Sequence, residues 1–268
     1  MPVRLMSAVH TNDAVAATIV NASLRATFAP KGRLRVSLNM ANPVLTRSAT
    51  AAEKPAGISI DLSRELARRL GVETEFLSWR SPGESVEALA GGLADVGYLA
   101  VDPNRTEQVH FTAPYAQIEA CYMVRDESPL QDHSEVDRPG TSVSVMATSA
   151  YDLFLGRHLQ HAAIVRLESA EQVLQSLLDD ATRSRVAAGI KQTLLADVRR
   201  VAGLRLLDGH FMAIRQAMVL PLGASGAAHA AAGAFMQEMV RSGFLADSVS
   251  RHRIAGITLI HTASSKHS

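Results

Sequence analysis

The chain has 268 residues, and its 27 Lys and Arg against 26 Asp and Glu give a formal net charge of +1. Hydrophobic residues make up 47% and charged residues 20%, as in an ordinary folded globular protein. Because there is no basic excess, the composition argues against nucleic-acid binding. No stretch of ~18 apolar residues occurs, so we expect no membrane span.

The N-terminal segment carries no clear export signal. Arg4 is followed by only a few apolar residues, and polar residues occupy 10–13. The stretch 14–20 is too short for the apolar core of a signal peptide. We expect a helix over 13–28, within an N-terminal helical extension that covers 1–30.

The first half of the chain alternates strands and helices. Residues 33–40 alternate apolar and polar side chains, which predicts a strand. Leu62, Leu66 and Leu70 lie four apart before Gly71, which predicts a helix with a glycine C-cap. The predicted order is a strand over 33–40, a helix over 60–70, a strand over 72–79, a helix over 84–93 and a strand over 95–100. This β-α-β-α-β order is typical of a parallel sheet.

A second set of strands and helices follows. Ser169, with Gln172 three residues later, predicts a capping box at the start of one helix. Strands are predicted over 118–125, 141–146, 163–167, 185–189, 204–207 and 212–220, and helices over 149–158, from 169, over 191–201, 225–242 and 244–252. Two such sets predict two small α/β lobes. Their ligand is expected outside the carboxyl ends of the strands, in a cleft between the lobes.

No set of residues specifies a reaction. The ten histidines include no His-Glu-x-x-His pair, and neither a Gly-x-Gly-x-x-Gly nor a P-loop pattern appears. Ser225 lacks the glycine spacing of a nucleophile elbow. The single cysteine, Cys121, excludes an intramolecular disulfide and is expected to be a buried thiol. We therefore expect no catalytic residue, no metal and no cofactor.

Two polar features lie at the predicted ligand edge of the sheets. Arg105 follows a strand, and its guanidinium can hold a carboxylate by two parallel hydrogen bonds. In the second lobe, Ala147, Thr148 and Ser149 also follow a strand and precede a helix, so their N–H groups and hydroxyls can face an anion. The alternative is a helix cap at Ser149 and a surface salt bridge at Arg105. The mirrored positions favour binding.

Several segments occur in an order that is typical of one family. They are Gly32-Arg-Leu-Arg-Val36, Gly57-Ile-Ser-Ile-Asp-Leu62, Arg69-Leu-Gly71, Leu93-Ala-Asp-Val96, Asp102-Pro-Asn-Arg105, Phe111-Thr-Ala-Pro-Tyr115, Val143-Ser-Val with Ala147-Thr-Ser149, and Met239-Val-Arg-Ser-Gly-Phe244. Over about residues 31–253 the chain resembles the periplasmic solute-binding proteins of family 3, the amino-acid-type receptors of ABC importers.

The resemblance implies the α/β, two-lobed periplasmic-binding-protein-like fold of type II: two Rossmann-like lobes joined by two crossover strands near 115–119 and 211–217. Lobe 1 would comprise 31–117 and 215–260, lobe 2 would comprise 118–214, and 261–268 would be a loose tail. The resemblance also implies a monomer, an ABC permease as partner and a periplasmic location. Without a clear signal peptide, a cytoplasmic location is the alternative.

The resemblance assigns roles to residues as well. In amino-acid-binding members the arginine matching Arg105 clamps the α-carboxylate, and the turn matching Ala147, Thr148 and Ser149 completes the clamp. Three features depart from the family. The segment with Tyr98, Leu99 and Ala100 is shorter by two residues and less polar, the loop that begins at Asn42 carries no aromatic ring, and Lys191 stands where the family commonly has an aspartate for the α-ammonium.

These departures suggest a hypothesis about the ligand. Arg105 and Lys191 facing one cleft would repel an ammonium and favour an anion without an amine. The expected ligand-binding residues are Asn42, Tyr98, Leu99, Ala100, Arg105, Ala147, Thr148, Ser149 and Lys191, and the expected ligand is a small anionic or amino-acid-like molecule. Two other functions stay open: an enzyme resembling cyclohexadienyl or arogenate dehydratases, with Glu119 or His210 as its acid, and a cytoplasmic ligand sensor.

Overall fold

A computed structural model describes residues 24–47, 55–179 and 185–260. The strands are β1 (Arg33–Asn39), β2 (Glu73–Trp79), β3 (Val96–Ala100), β4 (Val109–Phe111), β5 (Ala116–Arg125), β6 (Ser142–Met146), β7 (Ala163–Leu167), β8 (Val186–Ile190), β9 (Leu204–Leu206), β10 (Met212–Pro221) and β11 (Thr258–Leu259). Besides the helical residues 24–28, the α-helices of the described ranges are α1 (Ile58–Leu70), α2 (Pro82–Ala90), α3 (Ala150–His158), α4 (Ala170–Leu178), α5 (Lys191–Arg200), α6 (Gly226–Arg241) and α7 (Phe244–Arg251).

The strands form two parallel sets joined by two long antiparallel strands. Their order is β2-β1-β3-β10-β5-β8-β6-β7, with β4 on β10, and β9 and β11 on β5. In the first set β1 pairs in parallel with β2 and β3, and in the second β6 pairs in parallel with β7 and β8. Because β10 pairs with β3, β5 pairs with β8, and β10 and β5 pair with each other, these two strands connect the sets. We call the first set and its helices lobe 1 and the second lobe 2.

The helix predicted from the leucine spacing is present in the structure. Leu62, Leu66 and Leu70 of α1 are buried, and Gly71 closes the helix at a φ of 66°, in the left-handed region that favours glycine. These predictions are confirmed. The N-terminal part of the predicted helix 13–28 and the tail 261–268 lie outside the described residues, and residues 24–28 are helical.

Two helices are capped differently from the predictions. Helix α2 begins at Pro82, two residues early, because Ser81 and Glu84 form a capping box that the sequence analysis overlooked. At α4, Ser169 accepts a hydrogen bond from the Gln172 N–H. However, the Gln172 amide oxygen accepts from the N–H of Glu168 rather than from that of Ser169, so the predicted capping box is only half formed.

The two lobes contact each other at the carboxyl ends of their strands. The Gly83 N–H, at the start of α2 in lobe 1, donates to Thr148 Oγ1 in lobe 2 over 3.1 Å. Arg157 of α3 donates to both carboxylate oxygens of Asp102 in lobe 1, over 3.1 and 2.7 Å. The lobes are therefore closed on one another in this structure.

Within the described ranges, every helix is too short or too polar to cross a bilayer.

Candidate ligand-binding cleft

A small cavity lies where the lobes meet. Four of its lining residues are the last residues of strands: Asn39 of β1, Ala100 of β3, Met146 of β6 and Ile190 of β8. The cavity is thus at the carboxyl ends of both parallel sets, where open α/β sheets bind ligands. Its volume is about 30 Å³. That is room for roughly two water molecules, so the lobes must separate to admit a solute.

Arg105 is the charged group of this cavity. It lies in a short 3₁₀ turn, Pro103–Arg105, directly after β3, and is only 4% exposed. Its Nη1 donates to the Ala100 carbonyl and its Nη2 to the Thr148 carbonyl of the opposite lobe, each over 2.8 Å. Burial lowers the pKa of Arg105 to about 10, although the charge of Asp102 opposes the shift. Its hydrogen-bond partners are neutral, so the guanidinium stays free to neutralise an anion.

Two buried acids lie in the segments that Arg105 contacts, and both have other partners. Asp102 pairs with Arg157 at 2.7 Å, and Asp152 pairs with Arg166 at 2.8 Å. Three arginines, including Arg105, against two aspartates leave one positive charge. Among the described residues, no Asp or Glu lines the cavity. A buried cation without a hydrogen-bonded carboxylate is costly, and a bound carboxylate would lower that cost.

The turn of lobe 2 does not offer the N–H groups that the sequence analysis expected. The Ala147 N–H donates to the Leu167 carbonyl and the Ser149 N–H to the Met146 carbonyl. The Thr148 N–H donates to the Asp152 carboxylate over 2.9 Å.

The hydroxyls of this turn are engaged as well. Ser149 Oγ accepts from the Asp152 N–H and is a helix cap, the alternative left open above. Thr148, at a φ of 60°, directs its hydroxyl oxygen to the Gly83 N–H. The turn therefore contributes to lobe contact, and Ser149 contributes to the cavity wall.

Three expected residues of lobe 1 lie at different depths. Tyr98 is 2% exposed, and its hydroxyl accepts from Ser63 of α1, while Leu99 packs with Leu89 in a separate apolar cluster. Neither lines the cavity, because β3 is buried on both faces and these two side chains point into the cores. Ala100 does line it and holds Arg105 through its carbonyl.

Asn42 lines the cavity from the loop after β1. Its amide oxygen accepts from the Val44 N–H over 3.2 Å, which holds the loop in a turn. Asn42 is 6% exposed. The loop thus presents a short polar side chain at the place where the sequence lacks an aromatic ring.

Lys191 does not face the cavity that holds Arg105. Its Nζ lies 2.6 Å from Glu119 Oε2, and the pair lines a second cavity of about 310 Å³ beside Ala255 and Gly256. The ion pair raises the pKa of Lys191 and lowers that of Glu119. The prediction that Arg105 and Lys191 face one cleft is therefore wrong. Lys191 is the first residue of α5, and its side chain pairs with Glu119 of β5 instead.

The candidate enzymatic acids lie with Lys191. His210 Nδ1 is 3.6 Å from Glu119 Oε1, and neither residue lines the cavity around Arg105. Cys121 is buried, and burial raises its thiol pKa to about 11, as expected for an inert cysteine. In the described part of the chain, no three His, Cys, Asp or Glu side chains are grouped as metal ligands.

Gln216 was not predicted as a site residue from the sequence. It lies on β10 two residues after Ile214, so both side chains share a face, and both line the cavity. Gln216 is 1% exposed, and its amide oxygen has no hydrogen-bond partner. The signal was a glutamine at an inward position of the strand predicted over 212–220. Tyr151 was missed too, because it is the second residue of α3 and does not lie at a strand end.

Comparison with known proteins places this geometry in a family. The model for bacterial extracellular solute-binding proteins, family 3, matches residues 34–250. A mutant of ArgBP from T. maritima is 19% identical with a TM-score of 0.70, over 87% of this chain and 98% of that one.

Two further solved structures are similar. One is a putative binding component of an ABC transporter from Wolinella succinogenes complexed with lysine, at 16% identity and a TM-score of 0.70, over 82% of this chain and 95% of that one. The other is the amino acid ABC transporter substrate-binding protein AbpA from Streptococcus pneumoniae bound to L-arginine. It is 19% identical with a TM-score of 0.69, over 84% of this chain and 95% of that one. These likenesses confirm the predicted type II fold. A comparison with curated proteins finds no match.

Proposed function

The chain belongs to family 3 of the bacterial extracellular solute-binding proteins, and we propose that it binds a small carboxylate-bearing solute, an amino acid or an organic acid, between its lobes. In this proposal it is the non-catalytic substrate-binding component of an ABC-type importer, it acts as a monomer in the periplasm, and it delivers its solute to a permease. The structures complexed with lysine and arginine support an amino-acid-sized ligand.

One observation carries the proposal: Arg105 is a buried cation at the strand ends of both lobes, and its hydrogen-bond partners are neutral carbonyls. Five N–H donors in a fixed fork leave enough free donors to hold a carboxylate after these two bonds. Because Nη2 reaches across to lobe 2, a solute bound at Arg105 would touch both lobes. Binding would thereby favour the closed arrangement.

A thermal-shift and calorimetric screen of small carboxylates tests this function. A ligand at about 100 times its dissociation constant adds about 2.7 kcal/mol to the free energy of unfolding. For a chain of this size that raises Tm by roughly 5–10 °C.

Arg105→Met should abolish the shift. The matched control is Arg215→Met, since Arg215 is an exposed arginine on β10 beside Gln216. If Arg105→Met keeps the wild-type affinity for every carboxylate that binds, the proposed site is wrong.

A further inference from the structure

Among the described lining residues, Arg105 carries the charge and Gln216 has a buried amide oxygen without a hydrogen-bond partner. Arg105 supplies the positive charge, and the described lining includes no acid. Gln216 supplies the acceptor, a buried amide oxygen without a partner. A buried acceptor that forms no hydrogen bond is costly, so a ligand that fills it with a donor gains affinity.

The two groups are close enough to bind one small molecule. Gln216 is paired with Ala100 across the β10–β3 ladder, and the Ala100 carbonyl accepts from Arg105 Nη1 over 2.8 Å. Residues opposite each other in an antiparallel pair have Cα atoms roughly 5 Å apart. A carboxylate on Arg105 therefore has its neighbouring carbon within reach of the Gln216 amide.

Part of the cavity wall is apolar. Ala41, Ala150, Ile190 and Ile214 are among the lining residues. Walls of this kind suit an apolar substituent next to the carboxylate. They offer no acid to a cationic side chain such as that of lysine or arginine.

The charge balance separates a hydroxyl from an ammonium. A monocarboxylate with a hydroxyl on the adjacent carbon neutralises Arg105 and donates to Gln216 without adding a charge. An α-amino acid would bring a second cation into a site whose acceptor is neutral, and burying an ammonium without a carboxylate partner is unfavourable.

We propose that the solute is a small 2-hydroxy monocarboxylate, and that Gln216 recognises its hydroxyl through the amide oxygen. This inference rests on the proposed function, because it takes Arg105 as the carboxylate site. It retains the preference for an amine-free anion and assigns that preference to Gln216 instead of Lys191.

The test uses three ligands that differ in one group: propionate, lactate as each enantiomer, and alanine. Calorimetry on the wild-type protein should show one lactate enantiomer binding about three- to tenfold more tightly than propionate, the range for one neutral hydrogen bond. Alanine should bind more weakly than that enantiomer.

Gln216→Leu keeps the size of the side chain and removes the acceptor. It should erase the preference for lactate over propionate while propionate still binds. Gln237→Leu, at an exposed position of α6, is the matched control and should keep the preference. If Gln216→Leu does not fold, the wild-type ranking alone decides.

The outcomes separate the two proposals. Alanine binding as tightly as lactate, or an unchanged lactate preference in folded Gln216→Leu, overturns the inference while leaving carboxylate binding intact. If no carboxylate binds, or if Arg105→Met binds as wild type does, the proposed function itself has failed.

Discussion

The contact of Arg157 with Asp102 should control how long the lobes stay closed. Arg157 is on α3 of lobe 2, and it donates to both carboxylate oxygens of Asp102 and to Asn104 Oδ1 in lobe 1, over 2.7 to 3.1 Å. Opening the cleft must break these bonds. The substitution Arg157→Met therefore removes an interaction that exists only in the closed arrangement.

Its magnitude follows from the burial of the two partners. The Asp102 side chain is 1% exposed and that of Arg157 34%, so solvent screens the pair only in part. Asp102 keeps the Asn104 N–H, at 2.9 Å, when Arg157 is removed. Charged hydrogen bonds of this kind contribute about 1.5–3 kcal/mol, and the lower half of that range fits the exposed arginine. The closing equilibrium should fall by roughly ten- to fortyfold.

Two measurements check this prediction. Small-angle scattering of the ligand-free protein should show a larger radius of gyration for Arg157→Met, and stopped-flow dissociation of a bound carboxylate should be about tenfold faster. The control is Arg68→Met, because Arg68 pairs with Glu65 inside one helix. If both quantities match the wild-type values, or if Arg68→Met changes them equally, the pair does not hold the lobes together.

Two further predictions concern stability. His229 stacks on His110 with ring centroids 3.6 Å apart, and burial together with the charge of His110 lowers the pKa of His229 below its ordinary 6.5. Because the unfolded chain therefore takes up the proton at a higher pH than the folded protein does, Tm should fall as the pH drops below 6.5. The fall should be smaller in His229→Phe, and thermal denaturation between pH 5 and 8 measures the difference. Gly57 has a φ of 127°, and a Cβ there would lie 2.5 Å from the Leu45 carbonyl oxygen. Gly57→Ala should therefore lower Tm by roughly 4–10 °C, while the control Gly223→Ala, at an open position, should not. Equal Tm values for the two variants in calorimetry would show that a side chain at position 57 causes no strain.

The sequence was a good guide to the elements because their signals are local. The leucine spacing in α1 and the alternation in β1 depend on a few neighbouring residues, and both elements appear within two residues of the predicted bounds. The short strands β4 and β11 were missed, since they pair with β10 and β5 and have little pattern of their own. Their existence depends on tertiary pairing.

Arg105 was found because its position after a buried strand is itself a sequence signal. Tyr98 and Leu99 were assigned to the site by proximity along the chain to Arg105, although β3 is buried on both faces and only its last residue, Ala100, reaches the cavity. A period-two count cannot reveal that a strand has two cores beside it.

The turn of lobe 2 shows why a helix start is a weak signal for an anion site. Asp152, three residues after the Ser149 cap, places its own carboxylate on the Thr148 N–H and is held there by Arg166. The chain thus supplies the anion that the free N–H group would otherwise attract. An aspartate at this position of a first turn is common and stabilising. Where a turn is followed by such an aspartate, its N–H groups should be expected to bind that carboxylate rather than a ligand. By the same reasoning, Arg105 remains the stronger candidate, because its side-chain hydrogen bonds go to the Ala100 and Thr148 carbonyls and no carboxylate of the described residues is hydrogen-bonded to it.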